Sequence, residues 1–340
     1  MTKNRKFTLV SRPVGEPKES DFALVEEDVP ELSDGAFLVR NHYISLDPAQ
    51  RGWMSDAESY MPPIALGAAV TASTVGRVAE SKNPDFPVGQ WVVGLGAMEE
   101  YSVVQAGGFT SPVDVSLVPS PTNFLSVLGA VGMTAYFGMI DDGKPKEGET
   151  LLVTGAAGAV GSLVGQIGKI KGCRVVGIAG GADKCARLVD HYGFDAAIDY
   201  RGKSQAELEQ EIAAAAPDGV DIIWENVGGE ILDAGITAIN EHGRVVLCGL
   251  ISEYNSPEPV GIRNLWYLIS RQATIKGFLV RDYPPRFGEG IAEMGQWLAE
   301  GKITHDEDID RGIENSYAAF MKLFSGANQG KMILDVSPAD

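Results

Sequence analysis

Residues 153–161 read VTGAAGAVG, and they join an apolar run at 150–153 to a run of helical period at 159–171. Small residues at such a junction let the backbone turn tightly from strand to helix and let a phosphate approach main-chain N–H groups. The N-terminus of the following helix adds a partial positive charge. Ala156 stands where the usual G-x-G-x-x-G has its first glycine. The stretch therefore predicts a nucleotide-binding strand–turn–helix unit, the alternative being a glycine-rich turn that binds nothing.

The composition is that of an ordinary globular protein. The chain has 340 residues, enough for two domains, of which 44% are hydrophobic and 22% charged. Its formal net charge of −18 opposes non-specific attraction to nucleic acid or to an anionic membrane. It has no apolar run of the roughly 18 residues that a membrane helix needs, and no signal-peptide core follows residues 1–6. We therefore expect a cytoplasmic protein without nucleic-acid or membrane partners.

The cysteines and histidines give no sign of a disulfide or metal site. The three cysteines, Cys173, Cys185 and Cys248, are odd in number and widely spaced. No C-x-x-C pair occurs, and the four histidines lack the spacing of ligands. We expect no bound metal.

The sequence pattern changes near residue 125. Residues 1–125 contain short apolar stretches between Pro and Gly, which is typical of a small irregular β-barrel. In 126–304 six strands alternate with helices, which predicts an α/β fold with a doubly wound parallel Rossmann sheet. The tail, 305–340, contains a strand pattern at 332–336 and is assigned to the first domain. The predicted strands of the second domain are 150–153, 174–179, 196–198, 221–224, 244–247 and 274–278, and its predicted helices are 159–171, 182–192, 205–216, 230–240, 262–270 and 287–300.

The end of the second predicted strand favours NADP over NAD. An NAD site has an acidic residue roughly 20 residues after the glycine turn, where it accepts from the ribose 2′-hydroxyl. Here that place is taken by Gly180, followed closely by Lys184 and Arg187, with Tyr200 after the third strand. A glycine leaves room for a 2′-phosphate, and we interpret Lys184 as its partner. The alternative is that Lys184 and Arg187 are solvated charges on a helix.

Three further segments follow later strands of the sheet. They are 226–229 (NVGG), 248–255 (CGLISEYN) and 278–280 (FLV). Ligands bind at the carboxyl ends of the strands in such a sheet, so we expect these segments to line the cofactor cleft. Glycine allows close approach of the backbone, and the amide of Asn226 is suited to a ribose or a carboxamide. The alternative for each segment is an ordinary loop.

Motifs along the whole chain match one family in order. They are LDPAQRGWM (46–54), GMTAYFG (132–138), AAGAVGS (156–162), GCRVVG (172–177), GFD (193–195), NVGG (226–229), CGLISEYN (248–255) and GANQGK (326–331). The set resembles the zinc-free double-bond reductases of the medium-chain dehydrogenase/reductase superfamily, namely the leukotriene B4 12-hydroxydehydrogenase/prostaglandin reductase family and the bacterial NADPH-dependent curcumin reductases. Zinc alcohol dehydrogenases of this superfamily carry a cysteine early in the first domain, whereas this chain has none before Cys173.

The resemblance implies a GroES-like first domain, an NADP(H) cofactor and a homodimer that pairs through the nucleotide domain. It assigns the pyrophosphate to Gly158, Ala159, Val160 and Gly161, and the adenosine phosphate to Lys184 and Tyr200. It lines the rest of the cofactor cleft with Met133, Thr134, Asn226, Cys248, Gly249, Ile251, Ser252, Tyr254, Phe278, Leu279, Val280 and Asn328.

The chemistry that fits a metal-free site is reduction of the C=C bond of an α,β-unsaturated ketone or aldehyde. Hydride goes to the β-carbon and a proton to the α-carbon, and the enolate needs a donor rather than a Lewis acid. We expect Tyr254 to be that donor, sharing the role with the cofactor ribose and a water, or else to be a packing or cofactor-stacking residue. Arg51 and Tyr60 are candidates for the substrate pocket, the alternatives being an inter-domain ion pair and a surface tyrosine.

Two other functions stay open on the sequence. A quinone oxidoreductase of the same superfamily would oxidise NADPH with quinones but not with enones. A non-catalytic sensor would bind NADPH without turning over any enone. The sequence leaves the physiological substrate and its size undetermined.

Overall fold

The computed structural model describes residues 2–105, 109–258 and 260–338 and divides the chain into two compact units. The first unit comprises Met1–Leu125 with Glu307–Asp340, and the second comprises Ser126–Asp306. No helix within the described ranges is long and apolar enough to cross a membrane.

The first unit is rich in β-structure. Its strands are β1 Lys3–Leu9, β2 Phe22–Asp28, β3 Phe37–Ser45, β4 Thr71–Ser81, β5 Trp91–Ala97, β6 Tyr101–Val104, β7 Ser111–Pro112, β14 Glu307–Arg311 and β15 Lys331–Asp335, and its helices are α1 Gln50–Trp53 and α9 Ser316–Ser325. β1 and β2 form an antiparallel ribbon, and the other strands form a sheet in the order β14-β15-β3-β4-β5-β7, with β6 also paired to β3. As the sequence predicts, the tail strand β15 returns to this sheet, where it pairs antiparallel with β3.

The second unit is a parallel α/β sheet. Its strands are β8 Thr150–Thr154, β9 Arg174–Ala179, β10 Ala196–Asp199, β11 Val220–Glu225, β12 Ile239–Leu247 and β13 Thr274–Gly277, and its helices are α2 Ala130–Phe137, α3 Ala159–Ile170, α4 Ala182–Asp190, α5 Gln205–Ala215, α6 Gly229–Thr237, α7 Leu265–Ser270 and α8 Phe287–Ala299. The order β10-β9-β8-β11-β12-β13 is that of a Rossmann sheet, so the predicted fold class is confirmed. β8 and β9 are almost fully buried, as strands covered on both faces must be.

Three boundaries in the second unit differ from the sequence prediction by three residues or more, and the other boundaries differ by at most two. β12 begins at Ile239 rather than Arg244, so α6 ends at Thr237 instead of continuing to residue 240. The early part of β12 contains His242 in a left-handed conformation, with a register shift against β11. A strand that begins through polar, bulged residues lacks the alternating pattern by which strands are predicted. Helix α7 begins at Leu265 rather than 262.

Helix α2 was missing from the sequence prediction. Its residues, AVGMTAYF, are buried on nearly every side, so they have no polar face to set a helical period. Gly132 is required by close packing, because a Cβ there would lie 1.8 Å from the carbonyl oxygen of Val127. The helix is therefore stabilised by tertiary packing rather than by intrinsic propensity.

Candidate cofactor and active site

The sheet of the second unit brings the predicted cofactor segments to one edge. The chain leaves β8 toward β9 on one side and returns to β11 on the other, so a crevice opens between the carboxyl ends of β8 and β11. The glycine turn follows β8, and residues 226–229, 248–255 and 278–280 follow β11, β12 and β13. Because all these strands are parallel, the four segments share the ligand-binding edge of the sheet.

The glycine turn is shaped by close backbone packing. A Cβ on Gly161 would lie 2.5 Å from the carbonyl oxygen of Gly155 and 2.8 Å from Cα of Ala156. Gly158 is less crowded, with the same oxygen at 3.3 Å, and it forms the N-cap of α3. Gly161 thus lets the helix pack on the turn, and Gly158 keeps its N-terminus open to a phosphate.

The departure from the usual glycine pattern at Ala156 has a structural explanation. Ala156 is fully buried, and its Cβ lies 2.9 Å from the position that a Cβ on Gly177 of β9 would occupy. The methyl group at 156 therefore packs over a strand residue that has no side chain. The backbone N–H of Ala156 also donates to the carbonyl of Ile178 at 3.0 Å, which ties the turn to β9.

The end of β9 carries the features expected of a 2′-phosphate site. A Cβ on Gly180 would lie 3.0 Å from the hydroxyl of Tyr200 and 3.1 Å from Nε of Arg201, so both side chains fold over this glycine. The carboxylate of Asp199 accepts from the backbone N–H groups of Gly181 and Arg201, at 2.7 and 3.0 Å. These two bonds lower the pKa of Asp199 and fix the loop.

Two predicted basic groups of this region differ in their surroundings. Lys184 lies half-buried in the first turn of α4, directly after the glycine end of β9. Arg187 donates to the carboxylate of Asp306 through Nε at 2.7 Å, so it belongs to an ion pair with that residue.

Asn226 joins the two central strands. Its Nδ2 donates to the carbonyl of Thr154 at 2.7 Å, and its Oδ1 accepts from Nε1 of Trp224 at 3.2 Å. Its backbone N–H donates to the hydroxyl of Thr154 at 2.8 Å. Nδ2 carries two N–H groups, and these contacts use one of them. The second N–H suits the ribose or carboxamide contact that the sequence predicts.

Glu225 lies at the centre of the same junction and is fully buried. Its Oε1 accepts from the hydroxyl of Thr154 at 2.9 Å and from the backbone N–H groups of Val227 and Gly228 at 2.5 and 2.7 Å. Burial, only partly offset by these bonds, raises the pKa of its carboxyl to about 7.

The segment after β12 is built on the segment after β11. The backbone N–H groups of Cys248 and Gly249 donate to the carbonyl of Glu225 at 2.9 and 3.1 Å. That of Ile251 donates to the carbonyl of Asn226 at 3.0 Å. Ser252 donates through both its backbone and its hydroxyl to the carbonyl of Val227, at 2.9 and 2.6 Å. Burial raises the pKa of the Cys248 thiol to about 12, and the carboxyl of Glu225 adds to this rise.

Tyr254 is the acid–base candidate of this segment. Its phenol oxygen accepts from the backbone N–H of Leu250 at 3.3 Å. A Cβ on Gly249 would lie 2.9 Å from the same oxygen, so the phenol rests against bare backbone. The side chain is half-buried. This arrangement holds a protic group at the ligand-binding edge of the sheet.

The other predicted cofactor residues of this unit are unequally exposed. Phe278 is buried between the rings of Trp224 and Tyr283, whereas Leu279 is exposed and Val280 is half-buried. In α2, Met133 is fully buried and Thr134 is half-buried, its hydroxyl donating to the carbonyl of Ala130. If Met133 contacts the cofactor as predicted, it therefore does so through its backbone or after its side chain has moved.

Three predicted site residues belong to the first unit. Arg51 is 7% exposed, and its Nη2 donates to the carbonyls of Pro13 and Gly15 at 3.1 and 2.9 Å. The contact of Arg51 with the substrate stays a prediction. The burial of the side chain and its hydrogen bonds to these two carbonyls argue against that contact. Tyr60 is exposed and meets the ring of Trp53 edge-on. Asn328 is buried and donates to the carbonyl of Gly330 at 3.0 Å.

Family models match both units. Residues 5–111 match the family described as the N-terminal domain of oxidoreductase, and residues 159–297 match that described as zinc-binding dehydrogenase. Despite the second description, no three His, Cys, Asp or Glu side chains of the described residues cluster as a metal site.

Curated relatives and solved structures match along the full chain. The NADPH-dependent curcumin reductase of Escherichia coli is 43% identical over 99% of this chain and 98% of the relative. The NADP(+)-dependent 2-alkenal reductase of Nicotiana tabacum is 38% identical over 98% of both chains. The crystal structure of CurA from Vibrio vulnificus in complex with NADPH has a TM-score of 0.92 at 42% identity, covering 98% of this chain and 100% of that one.

The chain therefore belongs to the medium-chain dehydrogenase/reductase family. Within it, the chain belongs to the zinc-free branch to which these reductases belong, and the resemblance inferred from the motifs is confirmed.

Two residues of the candidate site, Glu225 and Arg201, are not predicted by the sequence pattern. Glu225 ends an apolar strand, where a single acidic residue resembles the start of a solvated loop. Arg201 lies one residue beyond Tyr200, but its fold over Gly180 depends on the turn that Asp199 fixes. A signal for Arg201 was present in the sequence, because it is a basic residue directly after the third strand of a Rossmann sheet.

Proposed function

We propose that this protein is an NADPH-dependent reductase of the C=C bond of α,β-unsaturated ketones and aldehydes. The observation that carries the proposal is the presence of Tyr254 at the same sheet edge as the dinucleotide turn, with its phenol oxygen held by Leu250. The curcumin and alkenal reductases among the relatives support the same chemistry, since curcumin and 2-alkenals are both unsaturated carbonyl compounds.

The residues of the second unit fit NADP(H). The open N-terminus of α3 at Gly158 receives the pyrophosphate, and the cationic groups of Lys184 and Arg201 receive the 2′-phosphate together with the hydroxyl of Tyr200. Gly180 removes the carboxylate that would repel this phosphate. When bound, the cofactor supplies a hydride from the nicotinamide ring.

The residues of the chain supply the rest of the reaction. Hydride adds to the β-carbon of the substrate, and the π electrons of the C=C bond move toward the carbonyl, giving an enolate. The phenol of Tyr254 donates to this enolate and delivers the proton to the α-carbon, directly or through a water. The product is the saturated ketone or aldehyde, and the phenol regains its proton from solvent.

An assay of purified protein with NADPH and a simple enone tests this function. We expect NADPH oxidation with the saturated ketone as product. Formation of the allylic alcohol alone would contradict C=C reduction. Turnover with quinones but not with enones would favour the quinone oxidoreductase, and binding of NADPH without turnover over an enone panel of graded size would favour a sensor.

We also propose that the protein is a homodimer that pairs through the second unit. Helix α7 exposes Leu265, Trp266 and Ile269 at 50%, 70% and 69%, and β13 lies at the edge of the sheet. An apolar patch beside an edge strand is typical of an interface. Light scattering of the purified protein should give twice the chain mass, and Trp266→Asp should halve it. A monomeric wild-type protein would contradict the proposal.

The cytoplasm is the proposed location. The described cysteines Cys173, Cys185 and Cys248 are free thiols, which suits a reducing compartment. Fractionation of cells that express the tagged protein tests this, and recovery from an oxidising compartment would contradict it.

A further inference from the structure

The two carboxyl oxygens of Glu225 have unequal surroundings. The side chain is fully buried, and Oε1 accepts from three donors, whereas Oε2 is buried with no hydrogen-bond partner among the described residues. A buried polar atom without a partner is costly, and the cost is larger for an ionised group. Packing alone therefore does not explain why a carboxyl group is buried at this position.

Glu225 connects three of the segments assigned to the cofactor. Thr154, which donates to Oε1, directly precedes the glycine turn. Val227 and Gly228, which donate to the same oxygen, belong to the segment after β11. The main-chain carbonyl of Glu225 accepts from Cys248 and begins the segment after β12. One residue thus fixes the relative positions of all three segments.

We propose that Glu225 is a positioning residue for the dinucleotide, holding the glycine turn and the segments 226–228 and 248–252 in the geometry that binds it, and that it does so best in its neutral form. The inference rests on the proposed function, because it takes the ligand of these segments to be NADP(H).

The charge of Glu225 sets the expected pH dependence. Its pKa of about 7 places its ionisation within the neutral range, while the thiol of Cys248, with a pKa raised to about 12, stays neutral there. The acidic group of the loop that faces Gly228 is Glu253, whose Oε1 lies 3.2 Å from the position of a Cβ on that glycine. An anionic dinucleotide disfavours the carboxylate further, so binding should take up a proton and weaken above neutral pH.

Fluorescence titration with NADPH at about pH 6 and about pH 8 tests the inference on the full chain. Glu225→Gln keeps one acceptor oxygen but does not ionise, and Glu225→Leu removes the acceptor. At the lower pH we expect the affinity of Glu225→Gln for NADPH to lie within roughly twofold of the wild-type affinity, and that of Glu225→Leu to be more than about tenfold weaker. Between the two pH values the wild type should lose affinity severalfold more than the Gln variant, which lacks this ionisation.

Two results would overturn the inference. One is a folded Leu variant that binds NADPH as tightly as wild type. The other is an identical pH dependence of NADPH affinity for the wild type and Glu225→Gln, a comparison that stands even where Glu225→Leu does not fold. In steady-state assays the Leu variant should raise KM for NADPH and leave KM for the enone unchanged. Wild-type protein that binds NADPH without reducing enones would instead contradict the proposed function and leave the role of Glu225 in binding intact.

Discussion

The phenol oxygen of Tyr254 rests against the backbone of Gly249, 2.9 Å from the position that a Cβ would occupy there. The backbone N–H of Leu250 donates to the same oxygen at 3.3 Å. Two backbone features of its own loop thus contact the phenol of the proposed acid. This relationship makes the role of Tyr254 testable in two separate ways.

Removal of the hydroxyl tests the chemistry. Tyr254→Phe should lower kcat for enone reduction by roughly 10²- to 10⁴-fold, the usual contribution of a general acid, with KM for NADPH little changed. Tyr267→Phe on α7 is the matched control, and it should leave both constants unchanged. Unchanged turnover in the Tyr254 variant would assign the proton to the cofactor ribose or to water.

Displacement of the hydroxyl tests its position. Gly249→Ala puts a methyl group against the phenol, so kcat should fall by roughly tenfold or more although the tyrosine remains. Gly288→Ala is the control, because a Cβ there has no heavy atom within 4 Å. Full activity in Gly249→Ala would mean that the phenol does not act from this position.

The two glycines of the dinucleotide turn should separate binding from folding. Gly158→Ala should raise the Kd for NADPH by roughly tenfold with a small change in Tm, because its Cβ would meet one oxygen at 3.3 Å and would lie at the N-cap of α3, where we propose that the pyrophosphate binds. Gly161→Ala should lower stability by about 1–3 kcal/mol, because its Cβ would overlap the backbone of residues 155 and 156. Titration and thermal unfolding of both variants check this, and equal effects would contradict the assignment.

The end of β9 should determine the choice between NADPH and NADH. Arg201→Ala should weaken the affinity for NADPH by roughly tenfold and leave the affinity for NADH unchanged, because the variant loses the proposed contact with the 2′-phosphate. Gly180→Asp should reduce the preference further by adding a negative charge at the same place. Lys169→Met, at the far end of α3, removes an equal charge as a control. Parallel losses for both cofactors would place the 2′-phosphate elsewhere.

The buried carboxyl of Glu225 should also make stability depend on pH. Its pKa of about 7, against an ordinary 4.5, means that the folded protein keeps the proton longer than the unfolded chain. The contribution of Glu225 to the free energy of unfolding is therefore fully present below pH 4.5 and is lost as the pH rises through about 7. The loss is on the order of 3 kcal/mol. Thermal unfolding of wild type and Glu225→Gln over this range checks the prediction, and parallel curves would contradict it.

The sequence predicted the parallel sheet well because buried parallel strands are continuous apolar runs. β8 and β9 are of this kind, and the glycine turn between β8 and α3 is local in the chain. By contrast, α2 contains a helix-destabilising glycine, Gly132, and has no polar face, so its helical state depends on the residues that surround it. The hydrophobic pattern along the chain does not indicate which distant residues will pack around a segment, so it could not predict this helix.

Features of the candidate site that depend on the residue types within one segment could be predicted from the sequence. Features that depend on contacts between several segments could not. The lack of an acidic residue at Gly180 is visible in the sequence, and so is the CGLISEYN segment that contains Tyr254. The role of Glu225 arises from donors on Thr154 and on residues 227 and 228, which only the fold brings together. The commitment of Arg51 to the backbone of residues 13 and 15 is likewise a tertiary contact.

The central claim, hydride transfer to the C=C bond of an enone, is tested most directly by isotope tracing. Purified protein is given an enone and NADPH that carries deuterium at the transferable C4 position, and the product is analysed by mass spectrometry and NMR. We predict a saturated ketone with deuterium on the β-carbon and a solvent proton on the α-carbon. Deuterium on the carbonyl carbon, in an allylic alcohol, would contradict the account.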